Sequence, residues 1–149
     1  MPVASSIEDA LRSLIGGLSA VTAIGPAIRP YKIEQTDDPA VGIVLIEVEE
    51  ETEIEDLDGL VGLVQSKVHV TAIAETFDAA WTLSESIRTN GATPSTGLHD
   101  HTGTTLGIVI QRCSSTGRPK RGYVAYEDGS DAGFCYVVQT YSIDYQEST

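Results

Sequence analysis

The sequence predicts an α+β domain in which two helices pack on one face of a mostly antiparallel sheet. Two segments carry apolar residues at the spacing of an amphipathic helix. The other apolar segments are rich in β-branched residues or alternate with polar ones, as strands do. Turn signals between neighbouring strands favour hairpins and therefore antiparallel pairs. We expect the order α-β-β-α-β-β-β within one domain that spans residues 1–149.

The first helix is expected over Ser6–Leu18. Its apolar residues fall on one face at 100° per residue, and two of them, Leu11 and Leu14, are expected to pack in the core. Ser6 and Asp9 have the spacing of a capping box, which also places a carboxylate near the positive end of the helix dipole. The pattern therefore predicts both the start of this helix and the face that it buries.

Two strands follow the first helix. A short extended piece is expected at Ile28–Tyr31, because proline disfavours helix in the residue before it. The first strong strand is Val41–Glu49, which is mostly β-branched. The second is Val61–Ala74, where alternation predicts one buried face and one wetter face. Val68 and Val70 belong to the buried face, so we expect both in the core.

The second helix is expected over Phe77–Thr89, with Thr76 as its N-cap. Phe77 and Trp81 share the apolar face of this helix, and the simplest interpretation places both in the core. Asn90-Gly91 ends the helix at the position where glycine is usual.

Three further strands complete the predicted sheet. They are expected at Thr105–Cys113, Gly122–Tyr126 and Gly133–Tyr145, and a polar loop, Ser114–Arg121, separates the first two. The last strand is long and carries few charges. Its edge therefore needs a cover, which pairing with another subunit would provide.

The charge balance excludes several classes of protein. The chain has 22 acidic and 9 basic side chains, a formal net charge of −13 and a sequence pI near 4.4. A protein that grips nucleic acid needs clustered Lys and Arg to neutralise phosphates, and so does one that binds an anionic membrane. No segment approaches the roughly 18 apolar residues of a membrane-spanning helix, and no secretory signal is visible. The free subunit is expected in the cytosol.

The most prominent local feature is an acidic segment that holds eight carboxylates within residues 47–58. A turn signal at Asp58-Gly59 follows it, so a hairpin is expected there. We expect this hairpin to face a channel or a partner, and its candidate residues are Glu49, Glu50, Glu51, Glu53, Glu55, Asp56 and Asp58.

Other functions would require features that the acidic segment lacks. A calcium loop needs alternating carboxylates and a glycine at its sharp turn; Glu51, Glu53 and Glu55 alternate, but no glycine lies among them. A hydrolase with two catalytic carboxylates needs acids in different environments, and nothing in the sequence sets one acid apart. The plainest interpretation is a solvated, mobile hairpin tip. A ring of such tips would repel a phosphate backbone that passes close by.

The only basic cluster consists of Arg118, Lys120 and Arg121, within the predicted polar loop. Phosphate contact is one possible role, although three cations are few against a net charge of −13. Pairing with the acidic surface of a neighbouring subunit is the role that we select for this basic loop.

Metal and catalytic signatures are weak. His99 and His101 lie two residues apart, but a zinc site needs one or two further ligands, and His69 is the only other histidine. Cys113 and Cys135 lie in apolar strand-like segments, where free buried thiols are usual. The chain has no P-loop, nucleophile elbow or Cys/His nucleophile pattern. We therefore expect no enzyme, no metal and no cofactor.

The order of these segments resembles the tail-completion family of long-tailed bacteriophages, which includes tail terminators and head–tail joining proteins. The resemblance spans nearly the whole chain and consists of apolar and turn patterns without catalytic signatures. It is carried, after the N-terminal helix, by Ala20-Val-Thr-Ala-Ile-Gly25, Ile28-Arg-Pro-Tyr31, Gly59-Leu-Val-Gly-Leu63, Lys67–Ala74, Thr76–Arg88, Tyr126-Glu127 and Tyr136–Tyr145.

The resemblance implies a structural role in a virion. Proteins of this family are similar in forming hexameric rings that cap the finished tail tube, meet the head connector and leave a channel for DNA. It implies as partners further copies of the chain, the tail tube protein and the connector or adaptor proteins, and as location the tail or neck of the virion, with the host cytoplasm during assembly. A head-side neck adaptor and a small acidic metal-binding module remain as alternatives.

Overall fold

A computed structural model of the chain describes residues 6–34, 36–56, 59–125 and 133–147, with side chains for all of these except 54–56, 59–62, 125 and 147. The described residues form three helices and one six-stranded sheet. The helices are α1 (Ile7–Gly16), α2 (Ser19–Ile24) and α3 (Phe77–Thr89). The strands are β1 (Ala27–Pro30), β2 (Ile43–Asp56), β3 (Gly59–Ala74), β4 (Gly103–Thr105), β5 (Ile108–Ala125) and β6 (Gly133–Glu147).

The strand order across the sheet is β1-β2-β3-β6-β5-β4. Only β1 and β2 run parallel, and every other neighbouring pair is antiparallel. The predicted α+β class with a mostly antiparallel sheet is therefore confirmed. The short extended piece that was expected near Ile28 is β1, an edge strand of this sheet.

The longer helices begin where their caps predict. The Ser6 hydroxyl accepts a hydrogen bond from the Asp9 N–H at 3.2 Å, and the Thr76 hydroxyl accepts one from the Ala79 N–H at 3.2 Å. Each bond satisfies one of the N–H groups that a helix start leaves unpaired. Helix α3 ends at Asn90, which adopts the left-handed conformation with φ 55°.

The helices pack against one face of the sheet, as predicted. This face is built from alternate residues in register across the strands, for example Ile46 opposite Val70 and Val68 opposite Tyr141. Leu11 of α1 is buried in the same apolar cluster. Helix α1 contacts both β1 and β4, which lie at opposite ends of the strand order, so the sheet curls around this helix.

Of the six residues expected in the core, Leu11, Val68 and Val70 are buried, and Leu14 is half-buried against the core. Phe77 differs from its expectation because its side chain is 39% exposed. The buried stripe of α3 runs through Ala80, Leu83, Ser84 and Ile87, and Phe77 lies one turn before it. Trp81 is half-buried beside a small cluster formed by Ala74, Ala80 and Val137.

Three expectations about strands and loops are wrong. The first strong strand does not end at Glu49, since β2 continues through the acidic segment to Asp56 in register with β3. The basic segment is no separate loop, because β5 runs from Ile108 to Ala125 and pairs with β6 on both sides of it. The last strand, β6, has no open edge, since it lies between β3 and β5. Pairing with neighbours outweighs the low strand propensity of the Glu, Gly and Pro residues here.

Within the described residues, no helix has both the length and the apolar character that crossing a membrane requires.

Candidate assembly surfaces

The first candidate surface is the acidic edge, which we define as Glu47, Glu49, Glu50, Glu51 and Glu53 of β2. All five side chains are exposed. Strand β1 pairs with β2 only as far as Ile46, so no described strand covers the outer side of β2 from residue 47 onward. Strand β2 holds seven acids and no base between residues 43 and 56. One backbone group at the start of this edge is satisfied, since the Val48 N–H donates to the Tyr31 hydroxyl at 3.3 Å. The edge thus combines backbone that no described strand pairs with a single sign of charge.

A β-bulge at Glu49 determines how these carboxylates are displayed. Val48 pairs with Val68, but Glu50 pairs with Lys67, so β2 has one extra residue at this point. An extra residue shifts the alternation of the strand by one. Beyond the bulge Glu51 stands opposite Ser66, on the helix side of the sheet, whereas Glu50 stays on the other side. The acidic edge consequently presents carboxylates on both faces.

The Glu49 carboxylate is held by two residues of β3. One of its oxygens, Oε2, lies 2.8 Å from Nε2 of His69 and 3.3 Å from Nζ of Lys67. The His69 contact, followed by that of Lys67, keeps the pKa of the Glu49 carboxyl below its usual range. The other ring nitrogen of His69 lies 2.9 Å from the Thr140 hydroxyl. This chain of contacts spans three neighbouring strands and fixes the bulge against the sheet.

The other carboxylates of the acidic edge have no cationic partner among the described residues. Glu51 accepts a hydrogen bond from the Tyr145 hydroxyl at 2.8 Å, across two strands. Glu47, Glu50 and Glu53 form no ion pair within the part of the chain that the structure describes. Like charges along one strand repel one another unless a partner compensates them.

The second candidate surface is the basic edge, which we define as Arg118, Lys120 and Arg121 of β5. All three side chains are exposed. A register shift between Thr116 and Lys120 leaves the residues between them outside the pairing with β6, and Gly117 there has φ 68°. The break places Arg118 in a bulge at the rim of the sheet. This is where the sequence predicted a polar loop.

The outer side of β5 is covered only in part. Strand β4 pairs with Ile108–Ile110, and loop residues cover the next part of β5, since the Asp100 N–H donates to the Cys113 carbonyl at 2.7 Å. The Ser115 N–H donates to Nδ1 of His99 at 3.1 Å. Beyond Ser115, no strand that the structure describes pairs with this side of β5. The basic edge lies on this uncovered part.

One cation of the basic edge, Arg121, contacts aromatic side chains of α3. The Arg121 guanidinium lies over the rings of Phe77 and Trp81, 5.8 and 5.9 Å from their centroids. This contact gives Phe77 its structural role at the surface of the protein. None of the three cations forms an ion pair with a described residue.

The loop that contains His99 and His101 has a structural role. His99 accepts hydrogen bonds from Ser115, as above, and burial lowers the pKa of His101. Among the described residues no three His, Cys, Asp or Glu side chains are grouped so that they could hold a metal ion. Cys113 and Cys135 are both free, and burial raises the pKa of Cys113 to about 12.

The acidic candidates are thus distributed along one strand. Glu49, Glu50, Glu51 and Glu53 lie on the acidic edge; Glu55 and Asp56 continue β2, and their side chains are outside the described residues, as is the whole of Asp58. Sequence reasoning did not select His69 or Tyr145 as partners of these acids. Residues on neighbouring strands meet only through the register, and one sequence does not give the register.

No protein-family model matches the chain, and no curated protein matches it in sequence. Among solved structures, the fold is similar to that of a chain in a structure described as the virion of a native gene transfer agent (GTA) particle. The TM-score is 0.58 at 13% sequence identity, and the match covers 93% of this chain and 95% of the other. The likeness concerns the fold and extends over nearly all of both chains.

Proposed function

We propose that the chain is a structural virion protein, a ring-forming tail-completion subunit that caps a tail tube and joins it to the head connector. The observation that carries this proposal is the fold. A chain of a GTA virion has a similar fold over 95% of its own length. The two chains share one architecture over nearly all of their lengths, which supports a shared assembly role more than a likeness confined to one small module would.

The surface chemistry supports a role beside DNA without tight binding to it. The acidic edge carries exposed carboxylates, and a phosphate backbone is repelled by such a surface. The exposed cations are confined to a few positions, three of them on the basic edge. A subunit of this kind can line or border a channel through which DNA slides.

A structural role also fits the internal chemistry of the described residues. The buried Ser66 hydroxyl serves the fold, because it donates to the Ile143 carbonyl at 2.9 Å. Glu49 and His69 are hydrogen-bonded to the sheet, and their contacts stabilise the bulge. We assign these groups to architecture and propose no catalytic step for them.

Electron microscopy of particles tests the proposal. Gold-labelled antibody against the chain should bind the head–tail junction of particles from cells that carry its gene. Label confined to another part of the particle, or particles without the chain, would overturn the proposal.

Disruption of the gene distinguishes a tail terminator from a head-side adaptor. Loss of a terminator should leave tails of abnormal length without heads, because nothing stops tube growth. Loss of a head-side adaptor should leave tails of normal length that fail to join. The first result supports the tail-terminator assignment, and the second replaces it with the adaptor.

A further inference from the structure

The two open edges of the sheet carry opposite charge. Between residues 43 and 56, β2 has seven acids and no base; between residues 108 and 125, β5 has four bases and no acid. Four of the nine basic residues of the chain therefore lie on one strand. The strand order places β2 and β5 toward opposite sides of the sheet, each beside a short terminal strand that covers only part of it.

The uncovered parts lie at opposite ends of the sheet as well. Strand β1 covers β2 at Ile43–Ile46. Ile43 pairs with Ile73 of β3, Ile73 with Tyr136 of β6, and Tyr136 with Gly122 of β5, so Gly122 lies at the same end of the sheet as β1. Strand β4 covers Ile108–Ile110, at the other end of the sheet. The acidic edge and the basic edge are consequently diagonal to each other, so one molecule cannot pair its own two edges.

Charge on an edge strand normally prevents edge-to-edge association between copies. In this chain the charges oppose association only between edges of like charge. Two acidic edges repel each other and so do two basic edges, but an acidic edge and a basic edge attract. The pattern excludes a two-fold symmetric dimer through either edge and favours contact between unlike edges. Contacts of this type are heterologous, and they close into a ring when the rotation between subunits permits.

We propose that the acidic edge of one copy docks on the basic edge of the next copy, in a head-to-tail arrangement. The occupant of each edge is thus a second copy of this chain. The inference deepens the proposed function and rests on it, because it assigns the contact that would close the ring. Arg118 and Lys120 are the cations available for the acidic neighbour, and Arg121 is held at the rim by Phe77 and Trp81.

Charge reversal with complementation tests this contact in the purified chain. One variant combines Glu50→Lys and Glu53→Lys, and a second combines Arg118→Glu and Lys120→Glu. All four side chains are exposed and without an ion pair among the described residues, so both variants should fold. The control combines Arg12→Glu and Lys32→Glu, which make the same charge change as the second variant at exposed residues that belong to neither edge.

Native mass spectrometry and light scattering measure the outcome. The natural chain and the control should assemble, and each reversed variant alone should assemble at least about ten-fold more weakly, since like charges then meet at the contact. An equal mixture of the two variants should restore assembly with alternating subunits, because each reversed edge matches the other. Circular dichroism should show the same fold for all four proteins.

Several results would overturn the inference. They are a natural chain that stays monomeric at high concentration, reversed variants that assemble like the control, or a mixture that does not recover. Failure of the proposed function looks different: the variants then complement each other in solution, yet antibody finds no chain in the particles. If antibody labels the head–tail junction but the charge-reversed variants assemble as well as the control, the virion role stands and this contact is rejected.

Discussion

The side chain of Asn90, at the end of α3, caps the start of α2. Its Oδ1 accepts hydrogen bonds from the Ala20 N–H at 2.9 Å and from the Ser19 hydroxyl at 3.3 Å. Helix α2 lacks a side-chain cap of its own, since its N-cap position is Leu18. One residue therefore ends one helix by its backbone and satisfies the first turn of another by its side chain.

Replacement of Asn90 should separate these two roles. Asn90→Ala loses the cap, at a cost of about 1 kcal/mol, and puts in the left-handed region a residue that tolerates it less well than asparagine, at a further cost of about 1 kcal/mol. Asn90→Gly loses the side-chain hydrogen bonds without that backbone strain and should cost less, while Asn90→Asp keeps an acceptor for the cap and should cost least. Urea unfolding measures the free energies; equal stability of the Ala and Gly variants would contradict this account.

The same substitution at two glycines should have opposite effects. A Cβ at Gly97 would lie 2.6 Å from the Ile87 carbonyl oxygen, at the end of α3, so Gly97→Ala should destabilise by about 2 kcal/mol or more. A Cβ at Gly16 would meet only Ile28 Cδ1 at 3.6 Å, and Gly16 lies in the last turn of α1. Gly16→Ala should therefore stabilise by about 0.5–1 kcal/mol. Thermal unfolding of both variants gives the signs.

An acid-sensitive ion pair fastens the segment between β1 and β2. Asp37 accepts hydrogen bonds from Nη2 of Arg29 at 3.1 Å and from the Glu34 N–H at 2.9 Å. The Arg29 contact, and then that of the Glu34 N–H, hold the pKa of the Asp37 carboxyl below its usual range. Because the folded state binds this proton more weakly than the unfolded state, the stabilisation is complete above the ordinary aspartate pKa and is lost as the pH falls through the folded value.

Asp37→Asn should therefore be less stable than the natural chain at pH 7, and the difference should shrink below about pH 4. Urea unfolding at a series of pH values measures it. Asp38→Asn is a suitable control, since the Asp38 side chain accepts a hydrogen bond from the nearby Ala40 N–H and forms no ion pair among the described residues. A stability difference that is the same at pH 3 and pH 7 would refute the role of the Asp37 charge.

Two apolar residues of α3 should differ in their contribution to stability. Leu83 is 1% exposed within the core, whereas Phe77 is 39% exposed beside Trp81. Leu83→Ala should cost about 3 kcal/mol, because it removes buried contacts and leaves a cavity. Phe77→Ala should cost about 1 kcal/mol, from partial burial and the ring contact. Denaturant titration followed by Trp81 fluorescence checks the order; a larger loss for Phe77 would place it in the core after all.

Features set by neighbouring residues in sequence could be predicted from the chain alone. Helix α3 has the predicted bounds, Phe77–Thr89, because Thr76 and Asn90 act locally on its two ends. The buried face of β3 follows from alternation within one strand, which is why Val68 and Val70 lie in the core. The amphipathic pattern of α1 likewise gives the face on which Leu11 is buried.

Features that depend on distant partners could not be predicted. The local pattern ends the first strand at Glu49, because Glu is depleted in strands, yet β3 pairs with the acidic segment as far as Asp56 and offers it a lysine and a histidine as neighbours. Gly117 and Pro119 predict the end of a strand, yet a bulge accommodates both residues and pairing with β6 resumes at Lys120. The central place of β6 is a matter of topology, which local patterns do not contain.

The bulge at Glu49 takes up one more residue in β2 than the facing stretch of β3 contains. Because the pairing resumes directly beyond it, removal of that residue would leave Glu51 opposite Ser66 and Glu53 opposite Val64, on the same side of the sheet as now. A change in strand length at this point is therefore confined to the rim. The pairing that buries Val68 and Val70 would not have to move.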